Sequence, residues 1–381
     1  MPRVTPAADH MPRSGIRQIM DLAWSLDEPV IGLHVGEPSF DAPPHVIEAA
    51  RRAYAEGRTH YVPNAGIPEL REAVARKITD LNGVPTAPEQ ITITAGGAQA
   101  IHLALTLTIA PGEEVLVPDP GWPNFAMSVE LLGGVPRGYP LRPENGFIPD
   151  LADLRPLVTD RTRVLLVNTP SNPLGTVIGE ERLAELVGFA EEHDLWVLSD
   201  ECYDALTFGA EHVSPLRLDR SDRVLAAYSF SKTFAMTGVR VGYLRTPAAV
   251  AGVAAKLQEP MVACVNAPAQ AAALAALTGP QDAVHRMREV YQERRDVAIA
   301  ELQRLGLGYL EPQGAFYLWL DVRDRDGGDT MAWAKRLLLE QHVAVAPGPV
   351  FGASGAGWAR ISLATDTDDL LEGLRRIGQQ R

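Results

Sequence analysis

The alternation of apolar and polar positions divides the chain, from residue 91 onward, into short strand-like runs and longer helical ones. Ile91–Ala95 predicts a strand, which the pair Gly96 and Gly97 ends. Apolar residues then recur at helical spacing over Ala98–Ile109, which predicts a helix. The same two patterns predict strands at Glu114–Val117, Arg163–Val167, Leu195–Leu198, Arg223–Ala227 and Val239–Leu244 and a helix at Glu180–His193.

This order of elements predicts an α/β fold. Strands separated by helices of this length pair in parallel, and the helices cover both faces of the sheet. After about residue 275 the pattern changes, and it predicts a long helix, Pro280–Leu305, and a smaller α+β domain. The elements predicted in that domain are the strands Ala315–Leu320, Val343–Ala346 and Ala359–Leu363 and the helix Met331–Glu340. We expect an N-terminal segment, 1–40, packed on the small domain, a large domain, 41–275, and a small C-terminal domain, 276–381.

Charge and composition exclude several classes of function. The 381 residues carry a formal net charge of −13, so no positive field exists to attract nucleic acid or an anionic membrane. Cys202 and Cys264 are the only cysteines and lack disulfide or zinc spacing, which fits a reducing cytoplasm and predicts no metal site. We find neither a signal-peptide core nor the roughly 20 apolar residues of a membrane span. We expect a soluble, cytoplasmic chain.

Lysine is rare in this sequence. Of 35 lysine and arginine residues only four are lysines, and Lys232 is the one in a segment of small residues that follows a strand, Ser229–Gly242. A side chain there can point into the cleft at the carboxyl end of the strand. Desolvation and a neighbouring cation such as Arg240 lower the pKa of a lysine and make it a nucleophile. The alternative is an exposed lysine in a turn.

The segment resembles the lysine signature of the class I and II aminotransferases, enzymes of fold-type I that use pyridoxal 5′-phosphate (PLP). Small residues flank the Ser-Lys pair at Lys232, and an Arg-x-Gly triplet follows at Arg240. The resemblance runs from about Val35 to Ser362, with motif order and spacing in agreement. It implies that Lys232 carries PLP as a Schiff base and that Ser229 and Arg240 also bind the cofactor.

The turn between the first strand and its helix has the features of an anion site. The free N–H groups of a helix start and the helix dipole attract a phosphate, and glycine lets it approach the backbone. A Gly-Gly pair by itself is often only a turn. The resemblance implies that Gly97 and Ala98 hold the cofactor phosphate here.

Three further strand ends carry residues that the resemblance assigns to the cofactor. Trp122 follows the second strand and can stack on a flat ring, although a core tryptophan is the alternative. Asn172, in an Asn-Pro turn, matches the asparagine that contacts the phenolic oxygen of PLP and the substrate. Asp200 matches the carboxylate that keeps the pyridine nitrogen protonated, and Tyr203 matches a tyrosine at the phenolic oxygen.

Substrate and partner contacts are also implied by the resemblance. Arg360 matches the arginine that binds the substrate α-carboxylate in a bidentate pair. Gly36 lies in a loop (Val35–Phe40) expected to border the substrate. Tyr61 matches the tyrosine that reaches the phosphate of a neighbouring subunit, which implies a homodimer with a shared active site.

The implied reaction is transamination between an L-amino acid and a 2-oxo acid. A β-lyase, decarboxylase or racemase would use the same cofactor residues, so these reactions remain alternatives. A PLP-sensing transcription regulator would need an attached basic DNA-binding module, and the fold is expected to begin near residue 14.

One position bears on the substrate. Some aspartate-using relatives have a lysine just after the phosphate-turn glycines, where this sequence has Ala98. We therefore expect a neutral amino donor, unless another arginine, of which Arg17 is a candidate, takes over that role. His34 could either contact the substrate or be a packing histidine, and Cys202 is expected to be a small buried residue.

Overall fold

The computed structural model describes residues 3–9, 11–12 and 15–380. Its strands are β1 (Ile31–Gly32), β2 (Ile91–Thr94), β3 (Glu114–Asp119), β4 (Val135–Pro140), β5 (Thr162–Asn168), β6 (Trp196–Asp200), β7 (Val224–Ser229), β8 (Gly242–Arg245), β9 (Tyr309–Leu310), β10 (Tyr317–Asp321), β11 (Val343–Ala344), β12 (Ala346–Pro347) and β13 (Trp358–Ser362). Its helices are α1 (Pro6–Asp9), α2 (Gly15–Trp24), α3 (Pro44–Ala55), α4 (Pro68–Leu81), α5 (Gly97–Thr108), α6 (Asn124–Leu131), α7 (Leu151–Leu154), α8 (Glu180–Glu192), α9 (Phe230–Thr233), α10 (Ala248–Val262), α11 (Ala267–Thr278), α12 (Asp282–Leu305), α13 (Thr330–Gln341) and α14 (Thr367–Gln379).

Seven strands form the large sheet, in the order β2-β8-β7-β6-β5-β3-β4. Both faces are buried, because alternate residues of β5 belong to two different apolar clusters. Leu165 and Val167 lie in one cluster, and Val164 and Leu166 lie in the other. A strand buried on both sides needs a continuous apolar run, which is the pattern of β5. The prediction of an α/β fold with a mostly parallel sheet is confirmed.

Two strands of the large sheet differ from the sequence prediction. β8 pairs antiparallel with both of its neighbours, β2 and β7. It follows β7 after the short lysine segment, and a parallel pairing would need a longer crossover connection. β4 was not predicted, because its sequence contains two prolines and its position at the sheet edge leaves it partly exposed.

A second sheet of four antiparallel strands, β12-β13-β10-β9, forms the centre of the C-terminal part. The long helix predicted at 280–305 is α12, and α14 packs against it. The N-terminal segment joins this part, because β1 pairs in parallel with β11 and α2 contacts β12 and α13. The three-part division at residues 40 and 275 stays a prediction.

Close approach of backbone segments places the predicted anion turn against the sheet. Gly242 at the start of β8 lies so near the turn that a Cβ atom would be 2.7 Å from the carbonyl carbon of Gly96 and 2.8 Å from the nitrogen of Gly97. Glycine at this position therefore lets the start of α5 lie directly beside the end of β7. In the described part of the chain, no helix is long and apolar enough to cross a membrane.

Candidate active site

The predicted site residues meet where the parallel strands end. Asn168, the last residue of β5, is the register partner of Asp200, the last residue of β6. Ser229 ends β7, and Gly96 follows β2. Open α/β sheets bind their ligands at the carboxyl ends of the strands, so this edge is the expected position of a site.

A cavity of about 330 Å³ lies at this edge. It contains all the predicted cofactor and substrate residues except Tyr61. These residues are Gly36, Gly97, Ala98, Trp122, Asn172, Asp200, Tyr203, Ser229, Lys232, Arg240 and Arg360. The cavity is also lined by residues that we had not assigned to the site, namely Ile16, Met20, Val35, Cys202, Ser231, Thr237 and Tyr317.

Lys232 lies in the short helix α9, which Ser229 caps by accepting a hydrogen bond from the backbone N–H of Ser231. Its Nζ donates to the carbonyl oxygen of Gly36 at 2.5 Å. Burial, together with the cationic charges of Arg360 and Arg240, lowers the pKa of Lys232 to about 8 against the opposing effects of Cys202 and Glu37. The amine is therefore partly neutral near physiological pH.

Donors for an anion cluster at one end of the cavity. The first N–H groups of α5 have no acceptor within the helix, and its dipole favours negative charge there. Gly97 fits tightly, because a Cβ would lie 2.8 Å from the Sγ of Cys202. The guanidinium of Arg240 donates to the carbonyl oxygens of Thr237 at 2.9 Å and Ala95 at 3.3 Å, which holds it beside the turn. This donor set fits a phosphate.

A buried carboxylate lies deeper in the cavity. Asp200 is 4% exposed, and its Oδ1 accepts from the backbone N–H of Cys202 at 3.1 Å. Burial raises its pKa to about 6, and no cation of the described residues counteracts this. A protonated ring nitrogen would supply the missing positive partner, so the site fits a pyridinium.

The cavity is also lined by a buried cation, the guanidinium of Arg360. Arg360 is 2% exposed; it donates to Oδ1 of Asn172 at 2.9 Å and to the carbonyl oxygen of His34 at 2.6 Å. Its Cζ is 4.3 Å from the ring centroid of Tyr317. Among the described residues it forms no ion pair, so its charge is available to an anionic ligand.

Sequence reasoning missed Tyr317, whose hydroxyl shares a hydrogen bond of 2.8 Å with that of Tyr203. Tyr317 also fixes the size of the cavity at Gly36, where a Cβ would lie 2.5 Å from the tyrosine hydroxyl. Strand alternation predicted where β10 lies, but no local motif marks this position as part of a site. Only the packing of β10 beneath the cavity brings Tyr317 there.

His34 and Cys202 differ in whether they line the cavity. The side chain of His34 is buried and does not line the cavity, which favours the packing interpretation. Cys202 was expected to be buried, but it is half-buried and lines the cavity. Burial and the nearby Asp200 raise the pKa of its thiol, so the thiol stays protonated at neutral pH.

Tyr61 is the predicted residue that the fold does not bring to the cavity. It is 89% exposed and borders a separate surface depression with Tyr54, Cys264 and Asn266. Its assigned role toward a neighbouring subunit needs an exposed side chain, and this geometry leaves that role a prediction.

Comparisons with known proteins agree with this geometry. Residues 28–377 match the family described as aminotransferase class I and II, which is known to use PLP. A probable aspartate/prephenate aminotransferase of Aquifex aeolicus is 40% identical over 359 residues, which cover 91% of this chain and 90% of that protein. An aromatic-amino-acid aminotransferase of Thermococcus litoralis is 40% identical over 369 residues, which cover 96% and 94%.

The fold comparison gives the same result. The structure of Thermus thermophilus aspartate aminotransferase with maleate has a TM-score of 0.95 and 39% identity, with all of both chains covered. The predicted family, the predicted fold and the predicted enzyme class are confirmed. The chain belongs to the class I and II aminotransferase family and is a transferase.

Proposed function

We propose that this chain is a PLP-dependent aminotransferase that moves an amino group between an L-amino acid and a 2-oxo acid, with Lys232 as the residue that holds the cofactor. One observation carries the proposal. A lysine of lowered pKa shares a single cavity with a buried carboxylate and a buried arginine, neither of which has a partner of opposite charge among the described residues.

The donor chemistry of the cavity matches the parts of PLP. The start of α5, Ser229 and Arg240 would bind the phosphate, and Asp200 would pair with the ring nitrogen. Asn172 and Tyr203 would contact the phenolic oxygen, and the half-buried Trp122 would stack on the ring. When bound, PLP supplies an electron-withdrawing ring that weakens the bonds to the substrate Cα atom.

Lys232 is also suited to move the proton of the reaction. Its neutral amine can accept the proton from the substrate Cα and later donate it, because its lowered pKa lies close to the working pH. The hydrogen bond to the Gly36 carbonyl holds the amine beside the loop that we expect to border the substrate.

Arg360 would hold the α-carboxylate of the substrate. Asn172 and the His34 carbonyl fix two of its nitrogens, and the rings of Tyr317 and Phe351 lie against the guanidinium. A preorganised, desolvated arginine binds a carboxylate strongly, because its own hydration has already been lost. The bound substrate is thereby oriented toward Lys232.

We further propose a cytoplasmic homodimer with a shared site. The exposure of Tyr61 supports the shared site, and the two free cysteines support a reducing compartment. The division into segment 1–40 and domains 41–275 and 276–381 is part of this proposal.

The attachment site can be tested by chemical trapping. Protein purified with PLP should be yellow, and borohydride reduction followed by peptide mapping should place the pyridoxyl group on Lys232. Lys232→Ala should lose both the label and transamination. A label on Lys77, Lys256 or Lys335 would contradict the assignment.

The protonation of Lys232 predicts a pH dependence. Below pH 8 its amine is mostly charged and unreactive, and above that pH it is neutral, since burial lowers the pKa to about 8. In cofactor-free protein the rate of Lys232 modification by an amine-selective reagent should rise through pH 8 and then level off. Arg360→Met should move this midpoint upward, because a cation that lowers the pKa is removed. Exposed Lys256 in the same sample is the reference for reagent reactivity, and a Lys232 midpoint that does not move in Arg360→Met would refute the prediction.

Subunit complementation tests the shared site. Tyr61→Ala and Lys232→Ala should each have low activity alone. Mixed under conditions of subunit exchange, they should recover about a quarter of wild-type activity, because half of the dimers are mixed and each has one complete site. Activity no higher than the average of the two separate variants would place Tyr61 outside a shared site.

The substrate preference follows from the cations of the cavity. Lys232, Arg240 and Arg360 all have assigned roles, and Ala98 cannot bind a second carboxylate. Arg17 is exposed and contacts Met20 and Trp24 instead of lining the cavity. A distal carboxylate would lose its hydration without gaining a partner, so a neutral donor should be preferred.

The measurement compares kcat/KM for aspartate, alanine, leucine and phenylalanine with one fixed acceptor. Ala98→Lys should shift the ratio toward aspartate. If aspartate is preferred in the wild type by more than about tenfold, or roughly 1.4 kcal/mol in transition-state binding, another cation binds it and the neutral-donor interpretation is wrong.

A further inference from the structure

Asp119, the last residue of β3, joins the large sheet to the segment that precedes β13. Its Oδ1 accepts a hydrogen bond from the backbone N–H of Ser354 at 3.0 Å. Two residues later, the N–H of Gly121 donates to the carbonyl oxygen of Phe351 at 2.8 Å. Two hydrogen bonds therefore connect the end of a large-sheet strand to segment 348–355, which lies between two strands of the four-stranded sheet.

The contact between these segments is close. Gly352 has a φ of +134°, and a Cβ on this residue would lie 2.1 Å from Oδ1 of Asp119. A side chain at position 352 would therefore displace the carboxylate. Asp119 forms no ion pair among the described residues, so its hydrogen bonds with Ser354 and Ala353 are what hold it.

Both segments joined by this contact adjoin residues of the cavity. Gly121 directly precedes Trp122, which lines it. Phe351 is 4% exposed, and its ring centroid is 5.0 Å from the Cζ of Arg360. Asp119 itself does not line the cavity. A change at Asp119 would therefore affect Trp122 and Arg360, although Asp119 itself would contact neither the cofactor nor the substrate.

We propose that Asp119 is a positioning residue that fixes Trp122 and Arg360 relative to one another by binding segment 348–355. The functional meaning of this contact rests on the proposed function, in which Trp122 stacks on the cofactor and Arg360 binds the substrate carboxylate. Loss of the contact should weaken substrate binding more than it slows the chemical step, because Lys232 and Asp200 lie on other strand ends.

The first test measures the contact in cofactor-free protein. Amide hydrogen exchange of residues 348–357 should become at least about fivefold faster in Asp119→Ala, because an amide that loses its acceptor opens more often. Asp119→Asn keeps an acceptor oxygen and should show a smaller effect. Asp150→Ala is the matched control, since Asp150 also accepts from a backbone N–H, that of Ala152 at 2.9 Å, but forms no hydrogen bond with segment 348–355.

The second test measures the consequence for the reaction. In PLP-loaded Asp119→Ala, KM for the amino donor should rise by about fivefold or more while kcat stays within about twofold of wild type. Gly352→Ala should show the same pattern, because its Cβ displaces the carboxylate, and it serves as a second variant if Asp119→Ala does not fold.

Three results would overturn the proposal. They are unchanged exchange of residues 348–357 in Asp119→Ala, an equal effect in Asp150→Ala, and a fall in kcat at constant KM. If wild-type protein failed to transaminate, the proposed function would be lost, whereas the exchange experiment would still decide whether Asp119 holds the segment.

Discussion

The removal of three charged groups from water is the interaction on which the rest of this site depends. Asp200 and Arg360 are buried and Lys232 is half-buried around one cavity, and among the described residues neither the carboxylate nor the guanidinium has an ionic partner. Burial is the largest cause of both pKa shifts: it favours the neutral amine of Lys232 and makes Asp200 a weaker acid. A ligand with a positive group beside Asp200 and a negative group beside Arg360 would form two favourable ion pairs that the protein by itself does not form.

The fold can keep these groups buried because the segment at the end of β6 is held by contacts on the side that faces away from the cavity. Asp200 and Cys202 face the cavity, whereas Glu201 between them turns away and accepts hydrogen bonds from Ser214 at 2.8 Å and Tyr228 at 2.9 Å. Further along the loop, Asp204 forms a half-buried ion pair with Lys77 of α4. Asp200, Cys202 and Tyr203 therefore serve the cavity, whereas Glu201 and Asp204 make interior contacts that fix the position of the Asp200 carboxylate.

The two parts of the chain contribute differently to the cavity. The large sheet provides the lysine, the carboxylate and the anion-binding turn at its strand ends. The four-stranded sheet provides Arg360 and Tyr317, and the N-terminal segment provides the apolar residues Ile16 and Met20. Under the proposed function, the residues that contact the substrate come mainly from segments packed against the large sheet, and the contact made by Asp119 would align them.

Local patterns determined much of this protein. Short apolar runs predicted β2, which Gly96 ends, and β5, and the motifs around Lys232, Gly97 and Asp200 predicted chemistry at strand ends. These features can be predicted from the sequence because they depend on residues that are only a few positions apart along the chain.

Tertiary structure decided the rest. The antiparallel direction of β8, the edge strand β4, the entry of Tyr317 into the cavity and the exclusion of the His34 side chain all depend on contacts between distant segments. The lowered pKa of Lys232 also required the fold, because desolvation and the charge of Arg360 arise only when residues 128 positions apart in sequence are packed around the same cavity.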